Sequence, residues 1–385
     1  MAPSRGTASK QKPKAPNKAK KPSGTPSKPS TSSTAASAFP APPIALCQKL
    51  LSTFRTAFPS TFDDHLHTHL QEIKKHLFNR EFELAFGRQE LLEAYAIRWS
   101  ASRALGYVKL FEEAFSFLDS CHVSQEAEVA PSAQKQPSRE GEKEEDQTNP
   151  STKTVICLGG GAGGEFVALA GFWQSQNTTE HLMVHAVDFA PWSNTLQKLY
   201  QAVTTAPPIS AYASASVRAA SAPLVSPQQL SYQFSHLNVL EAEHEAELIS
   251  LIGEADVLTL MFTLNELYNS SLGRTQRILQ LVTEHARDGA VLVVVDSPGS
   301  YAEVSVGKEG NQKTYPMHFL LDYTLTGDGA TAGENKGGTS VKAWKKVVDE
   351  QSRWFRLPED LKYPIELENM RFQTHIYTRI RGSPS

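Results

Sequence analysis

A run of glycines in the middle of the chain has the residue types that a nucleotide site requires. Residues 155–158 are apolar, and glycines follow at positions 159, 160, 161, 163 and 164, before an apolar stretch at helical spacing. In a strand, glycine turn and helix, the backbone lies against a nucleotide, and the helix N-terminus offers free N–H groups. The spacing fits Gly159-x-Gly161-x-Gly163 as well as the dinucleotide pattern, so the loop alone does not separate NAD, FAD, ATP and S-adenosylmethionine.

Two further polar residues follow strand-like runs. Asp188 ends the run "HLMVHAVD", and Asn238 follows the run "YQFSHL". A carboxylate at the tip of the second strand is placed to accept the ribose hydroxyls of a bound nucleoside, and an amide after the third strand is placed to read the edge of an adenine. The alternative is that both side chains only cap the turns after their strands, where Asn and Asp are common.

The run "ADVLTLMFTL" turns polar at Asn265 and Glu266, which offer an amide and a carboxylate. In an open α/β sheet, ligands bind outside the carboxyl ends of the strands. We therefore expect Asn265 and Glu266 to face the same crevice as the glycine loop. The alternative is that Asn265 caps the next helix and that Glu266 is the acid of its first turn.

The surrounding pattern predicts the elements that must position these residues. Strand-like and helix-like runs alternate after residue 154, which predicts an α/β fold with a mostly parallel sheet covered by helices. The runs "SRWFRL" and "NMRFQTHIYTRI" predict an antiparallel pair at the C-terminal end. We expect a disordered basic tail over residues 1–43, a helical N-terminal subdomain over 44–122, a disordered linker over 123–153 and an α/β domain over 154–385, with a low-complexity insertion over 205–229.

The composition of the 385 residues argues against several classes of protein. No stretch of about 20 apolar residues is present, so we expect no membrane span. The three cysteines are far apart and indicate neither a disulfide framework nor a zinc site. His65 and His69 share a predicted helix face, but no third ligand has suitable spacing, so we expect no metal.

The formal net charge of -3 hides a basic N-terminal segment. Residues 1–34 carry Lys and Arg side chains and no acid, interleaved with Pro and Ser. Such a segment buries too little apolar surface to fold. We interpret it as a nuclear or nucleolar address, or as an arm that neutralises phosphates; the alternative is a solubilising tail.

Several motifs together resemble the class I S-adenosylmethionine-dependent methyltransferases. More narrowly, they resemble the fungal enzymes that methylate N3 of a uridine in large-subunit (25S) ribosomal RNA. The motifs are "YAIRWSASRALGY", "LGGGAGGE", "VDFAPWS", "MFTLNELYN", "VVDSPGSYAEV", "YPMHFLLDYTL" and "SRWFRLPEDLKYPIELENMRFQTHIYTRI". The glycine motif is generic, whereas the later motifs are specific to the family. The sequence departs from the common class I pattern at Cys157, where an acid is frequent, and at Asn238, where an Asp is frequent.

The resemblance implies a Rossmann-like methyltransferase domain with S-adenosylmethionine as cofactor. Gly159, Gly161 and Gly163 would line its methionine and ribose part. Asp188 would hold the ribose hydroxyls and Asn238 would meet the adenine. The implied partner is large-subunit rRNA or a pre-ribosome in the nucleus or nucleolus, with the cytoplasm as a further location and the oligomeric state open.

Methylation of a uracil at N3 requires the removal of the proton on that nitrogen. We predict that Glu266 accepts this proton and that Asn265 orients the base through its carbonyl oxygens, because proton removal and alignment are what the protein must supply. Two alternatives remain open. One is a small-molecule methyltransferase, and the other is a non-catalytic protein of the same fold that acts in ribosome assembly.

Overall fold

The computed structural model describes residues 38–128, 151–176, 178–206, 212, 214, 221–299, 301–306, 311–327 and 343–380. Within these ranges, only the backbone is described for residues 121–128, 301–306 and 311–314. The predicted tail up to residue 37, the greater part of the predicted linker and about half of the predicted insertion lie outside this described part of the chain. The helices are α1 (Ile44–Ala57), α2 (Leu66–Phe78), α3 (Phe82–Ala85), α4 (Gln89–Tyr95), α5 (Ala101–Glu128), α6 (Gly164–Gln176), α7 (Ser193–Thr204), α8 (Glu245–Glu254), α9 (Leu264–Ser270), α10 (Leu272–His285) and α11 (Met317–Thr326). A π-helical turn over Ala96–Ser100 joins α4 to α5.

The strands form one large sheet and one hairpin. They are β1 (Ala38–Phe39), β2 (Thr152–Leu158), β3 (His181–Asp188), β4 (Leu230–His236), β5 (Val257–Met261), β6 (Val291–Asp296), β7 (Tyr301–Val306), β8 (Asn311–Pro316), β9 (Trp344–Phe355) and β10 (Met370–Arg379). The large sheet has the order β1-β9-β10-β6-β5-β2-β3-β4, and β7 pairs with β8.

The five strands from β4 to β6 in this order run parallel to their neighbours. β10 lies antiparallel between β6 and β9, and β1 pairs in parallel with the end of β9. The predicted α/β fold class, with a mostly parallel sheet and an antiparallel C-terminal strand, is confirmed.

Strands buried on both faces explain the nearly continuous apolar runs of the sequence. In β6, Val291, Val293 and Val295 pack with the helices on one face, whereas Leu292 and Val294 pack with those on the other. This alternation follows from the two-residue period of a strand. The first face carries α1, α5, α6 and α7, and the second carries α8, α10 and α11.

The N-terminal helices pack directly on the helices of the sheet. Phe115 of α5 lies against Phe172 and Trp173 of α6, with ring centroids 4.8 and 5.8 Å apart. Buried residues of α1, α5 and α6 therefore belong to one continuous hydrophobic core with the sheet. This packing holds the N-terminal end of α5, with Arg103, near the carboxyl end of β5.

Candidate active site

The glycine loop between β2 and α6 is folded against the ends of two other strands. The N–H of Gly159 donates to the carbonyl of Val187 at 2.8 Å. Gly159 and Gly163 have φ values of 82° and 77°, a left-handed conformation that favours glycine. A Cβ at Gly159 would lie 2.3 Å from the hydroxyl of Thr263, which follows β5. The loop is therefore packed too closely for larger residues.

Asp188 lies at the tip of β3, as predicted, and contacts the glycine loop. Its two carboxylate oxygens accept the N–H of Gly161 and the N–H of Ala190, each at 3.1 Å. Burial raises the pKa of Asp188 to about 6, against the lowering effect of these two hydrogen bonds. The Trp192 side chain also hydrogen-bonds to this carboxylate. Because a carboxylate has about four acceptor positions, one remains for a further donor.

Asn238 lies two residues beyond the end of β4, and the hydrogen bonds of its side chain stay within its own turn, among the residues described. Its side-chain oxygen accepts the N–H of Leu240 at 3.1 Å, and its side-chain nitrogen donates to Glu241 at 3.2 Å. This is the turn geometry that the alternative interpretation described. Asn238 is nevertheless next to the Asp188 strand, because β3 and β4 are paired up to Asp188 and His236.

Asn265 and Glu266 lie in the first turn of α9, directly after β5. The cap position of this helix belongs to Thr263, so Asn265 is not its cap, whereas Glu266 is its first-turn acid. The side-chain nitrogen of Asn265 lies 3.4 Å from a carboxylate oxygen of Glu266. The Glu266 side chain is 41% exposed, and its other oxygen is 3.9 Å from the guanidinium of Arg80.

A third acid, Asp296, ends β6 beside this turn. It is 3% exposed and accepts the backbone N–H of Asn265 at 2.9 Å and that of Ser297 at 2.7 Å. Burial raises its pKa to about 6. The structure thus brings Asn265, Glu266 and Asp296 together at the carboxyl edge of the sheet.

Arg103 of α5 reaches the same edge from outside the sheet. Its guanidinium donates to the hydroxyl of Tyr95 at 2.9 Å and lies 4.3 Å from the ring centroid of Phe262. In the described part of the chain, no carboxylate lies within ion-pair distance of it. Its charge is therefore not neutralised by an acid of the described residues and is able to attract an anionic group.

Phe262 follows β5 in an unusual backbone conformation. Its φ is 59°, which is uncommon for a bulky residue and costs conformational energy. Its N–H donates to the carbonyl of Val295 at 2.7 Å, which holds this conformation against β6. The strain is thus located where the chain turns from the β5 strand towards Asn265.

Glu165, the first-turn acid of α6, also faces the inside of the site. It is buried, and it accepts the hydroxyl of Thr259 and contacts the thiol of Cys157. Burial raises its pKa to about 7. The carboxylate therefore lies beside Cys157, the position at which the sequence departs from the common class I pattern.

The raised pKa of Glu165 predicts how stability depends on pH. Its folded-state pKa lies above its unfolded value of 4.5, so the stability is greatest below that value and is lost as pH rises through about 7. One pKa unit corresponds to about 1.4 kcal/mol. The shift of Glu165 is therefore expected to lower the free energy of unfolding by about 3 kcal/mol between pH 4 and pH 8. Urea unfolding of the cofactor-free protein and of Glu165→Gln at several pH values measures this change in the free energy of unfolding. Equal pH slopes in the two proteins would contradict the assignment.

Aromatic side chains cover the Asp188 end of the crevice. Trp192 follows β3 and lies 5.4 Å from Phe86 and 5.9 Å from Tyr95, measured between ring centroids. Phe86 also lies 6.2 Å from Phe189, which is exposed. The segment from α3 to the π-helical turn therefore closes one side of the site.

The structure offers neither a metal cluster nor a membrane span in the residues that it describes. His65 and His69 have ring centroids 6.4 Å apart, but no group of three or more potential ligands occurs there. No helix of the described chain has the length and apolar character to cross a bilayer.

Comparisons with known proteins agree with this geometry. A family model described as putative SAM-dependent methyltransferase matches residues 54–378. The 25S rRNA (uridine(2843)-N(3))-methyltransferase of Saccharomyces cerevisiae is 28% identical over 358 residues, which are 86% of this chain and 85% of that protein.

Two solved structures are more distant. A SAM-dependent methyltransferase from Methanosarcina mazei is 11% identical with a TM-score of 0.33, covering 60% of this chain and 94% of that chain. An O-methyltransferase family protein from Burkholderia thailandensis is 13% identical with a TM-score of 0.33, covering 78% and 63%. Because the family model matches most of its length, the chain belongs to the family of putative SAM-dependent methyltransferases, and its cofactor is S-adenosylmethionine.

Proposed function

We propose that this protein transfers a methyl group from S-adenosylmethionine to N3 of a uridine in large-subunit ribosomal RNA. The observation that carries the proposal is the similarity to the yeast 25S rRNA methyltransferase, which extends over 86% of this chain and 85% of that protein. A match of this extent includes the N-terminal helices as well as the cofactor fold. These helices contribute Arg80 and Arg103 to the rim of the crevice.

The residues at the carboxyl edge fit the chemical groups of the cofactor. Asp188 keeps an acceptor position for a ribose hydroxyl beside its hydrogen bonds from Gly161, Ala190 and Trp192. The methionine end carries an ammonium and a carboxylate. Besides Asp188 and Asp296, the site contains the buried acid Glu165, and Arg103 has no acidic partner among the residues described. We assign the ammonium to Glu165 and the carboxylate to Arg103. The bound cofactor supplies an activated methyl group on a sulfonium.

The remaining residues can supply what a uracil requires. Its N3 carries a proton in the neutral base, so a methyl acceptor forms only when that proton is removed. We propose that Glu266 accepts the proton, since it is partly exposed on the crevice side of α9, and that the Asn265 amide orients the base. Asp296 then acts as a positioning residue, because it fixes the backbone of Asn265.

Methylation mapping tests this function against its two alternatives. We expect rRNA from cells lacking the protein to lose one N3-methyluridine, and the purified protein with S-adenosylmethionine to restore it, as read by mass spectrometry of nucleosides. Loss of the modification without activity of the purified protein would favour a non-catalytic assembly role. An unchanged set of rRNA modifications would favour a small-molecule substrate.

We also propose that the basic N-terminal segment directs the protein to the nucleus or nucleolus. The support is its content of Lys and Arg without any acid over residues 1–34. Imaging of fluorescent fusions with and without these residues tests it. The same distribution of both fusions would reject this role.

A further inference from the structure

An aromatic side chain flanked by two arginines lies at the outer strands of the sheet. Trp354, near the end of β9, is partly exposed. The guanidinium of Arg356 lies 5.3 Å from its ring centroid and that of Arg371, on β10, lies 5.7 Å from it. We call these three residues the Trp354 surface.

The two arginines of the Trp354 surface have no acidic partner among the residues described. Arg371 donates from Nε to the hydroxyl of Ser352 at 3.0 Å, which fixes its orientation, and both arginines are exposed. Several other arginines of the described chain are paired with acids, such as Arg353 with Glu113 at 2.6 Å. The two guanidinium groups therefore leave positive charge and hydrogen-bond donors open to a ligand.

The strand register places the Trp354 surface beside the active site. Arg371 pairs with Trp354 across β10 and β9, and Gln373 pairs with Asp296 across β10 and β6. Side chains two residues apart on a strand share a face, so Asp296, Gln373, Arg371 and Trp354 line one face of the sheet. Arg371 lies two residues, about 7 Å, beyond the level of Asp296 along the strand direction.

A single-stranded nucleic acid has the chemistry that matches this surface. Its bases stack on aromatic rings, and its phosphates bind guanidinium groups, which also stack on bases. RNA recognition depends on unstacked bases of this kind. Trp354 is two strands, about 10 Å, to the side of β6 and therefore about 12 Å from Asp296 across the sheet. A short single-stranded segment is able to span this distance.

We propose that the Trp354 surface binds an unpaired segment of the RNA substrate adjacent to the target uridine, with a base stacked on Trp354 and phosphates bound by Arg356 and Arg371. This proposal rests on the proposed RNA methyltransferase function. It names the part of the protein that recognises the nucleotides next to the methylated one.

Fluorescence anisotropy with a labelled 12-nucleotide single-stranded RNA tests the proposal. Trp354→Ala and Arg371→Glu, each in the full-length protein, are expected to weaken binding of this RNA at least tenfold. Lys345→Glu is the matched control, because Lys345 is exposed at the opposite end of β9 and carries the same charge change. It is expected to weaken binding less than threefold. Calorimetry with S-adenosylhomocysteine is expected to give the wild-type affinity for all three variants.

Each outcome separates this proposal from the proposed function. Unchanged RNA affinity in Trp354→Ala and Arg371→Glu, with wild-type RNA binding intact, would overturn the Trp354 surface but not the function. Equal losses of RNA affinity in Arg371→Glu and Lys345→Glu would contradict the proposal, because they would show that the RNA is attracted by overall charge and not bound by a defined surface. Absence of RNA binding and rRNA methylation by the wild-type protein would remove the proposed function itself. Tighter binding of the same RNA as a duplex would exclude an unpaired ligand.

Discussion

Glu266→Gln is expected to lower the single-turnover rate of methyl transfer to the uridine by about 10²–10⁴-fold, the usual range for loss of a general base. Glutamine keeps the shape of the side chain and its contact with Asn265 but is unable to accept the N3 proton. Cofactor affinity should stay at the wild-type value, because Glu266 lies after β5 and not beside Asp188. Quenched-flow methylation of rRNA, with mass spectrometry of the product nucleoside, measures the rate.

Two neighbouring variants are the controls for this prediction. Asn265→Ala removes the amide but keeps the backbone N–H that donates to Asp296, so we expect a smaller loss of rate than in Glu266→Gln. Asp296→Asn should loosen the start of α9 and also cause a smaller loss. A Glu266→Gln rate within threefold of wild type, together with a loss above a hundredfold in Asp296→Asn, would instead make Asp296 the base. A product other than N3-methyluridine would reject the proposed substrate.

Asp188→Ala is expected to weaken S-adenosylmethionine binding by about 1.5–3 kcal/mol, the cost of a lost hydrogen bond to a charged group. This corresponds to an increase in Kd of about 10- to 150-fold. Because the pKa of Asp188 is raised to about 6, its carboxylate ionises as pH rises through that value. Cofactor affinity of the wild-type protein should therefore increase from pH 5 to pH 7.

Calorimetry with S-adenosylhomocysteine measures this affinity, and circular dichroism shows whether the variant folds. Asp188→Asn is the matched control: it keeps an acceptor oxygen but does not titrate, so we expect an intermediate affinity with a weaker dependence on pH. Wild-type affinity in a folded Asp188→Ala protein, or tight NAD binding by the wild-type protein, would overturn the assignment.

The sequence predicted the site residues at the ends of strands better than the site residues that lie on helices packed over the sheet. Asp188 was predictable because a buried apolar run ends at one carboxylate, and parallel strands bring their ends to one edge. The same reasoning placed Asn265 and Glu266 after β5. Arg103 was not predictable in this way, since its contact with Phe262 depends on how α5 packs over the sheet, and no local pattern encodes that packing.

Two other positions show where local patterns are ambiguous. Glu165 has the spacing of an ordinary first-turn acid, which normally faces solvent, and only the structure shows that it points inward to Thr259. Asn238 was predicted as an adenine contact through the resemblance, and its hydrogen bonds in the structure are those of a turn. A short polar residue after a strand serves both purposes, so spacing does not decide between them.

The position of β10 in the sheet has a consequence for biosynthesis. Residues 370–379 follow all other strands of the described sheet in chain order, yet β10 is an interior strand that joins β6 to β9. Until these residues have left the ribosome, β6 and β9 have unpaired edges, and β1 has no completed sheet to join. Such non-local pairing slows folding and leaves strand edges open to aggregation. The nascent protein therefore depends on residues 370–379 to close the sheet, and a chain that stops before residue 370 leaves the edges of β6 and β9 unpaired.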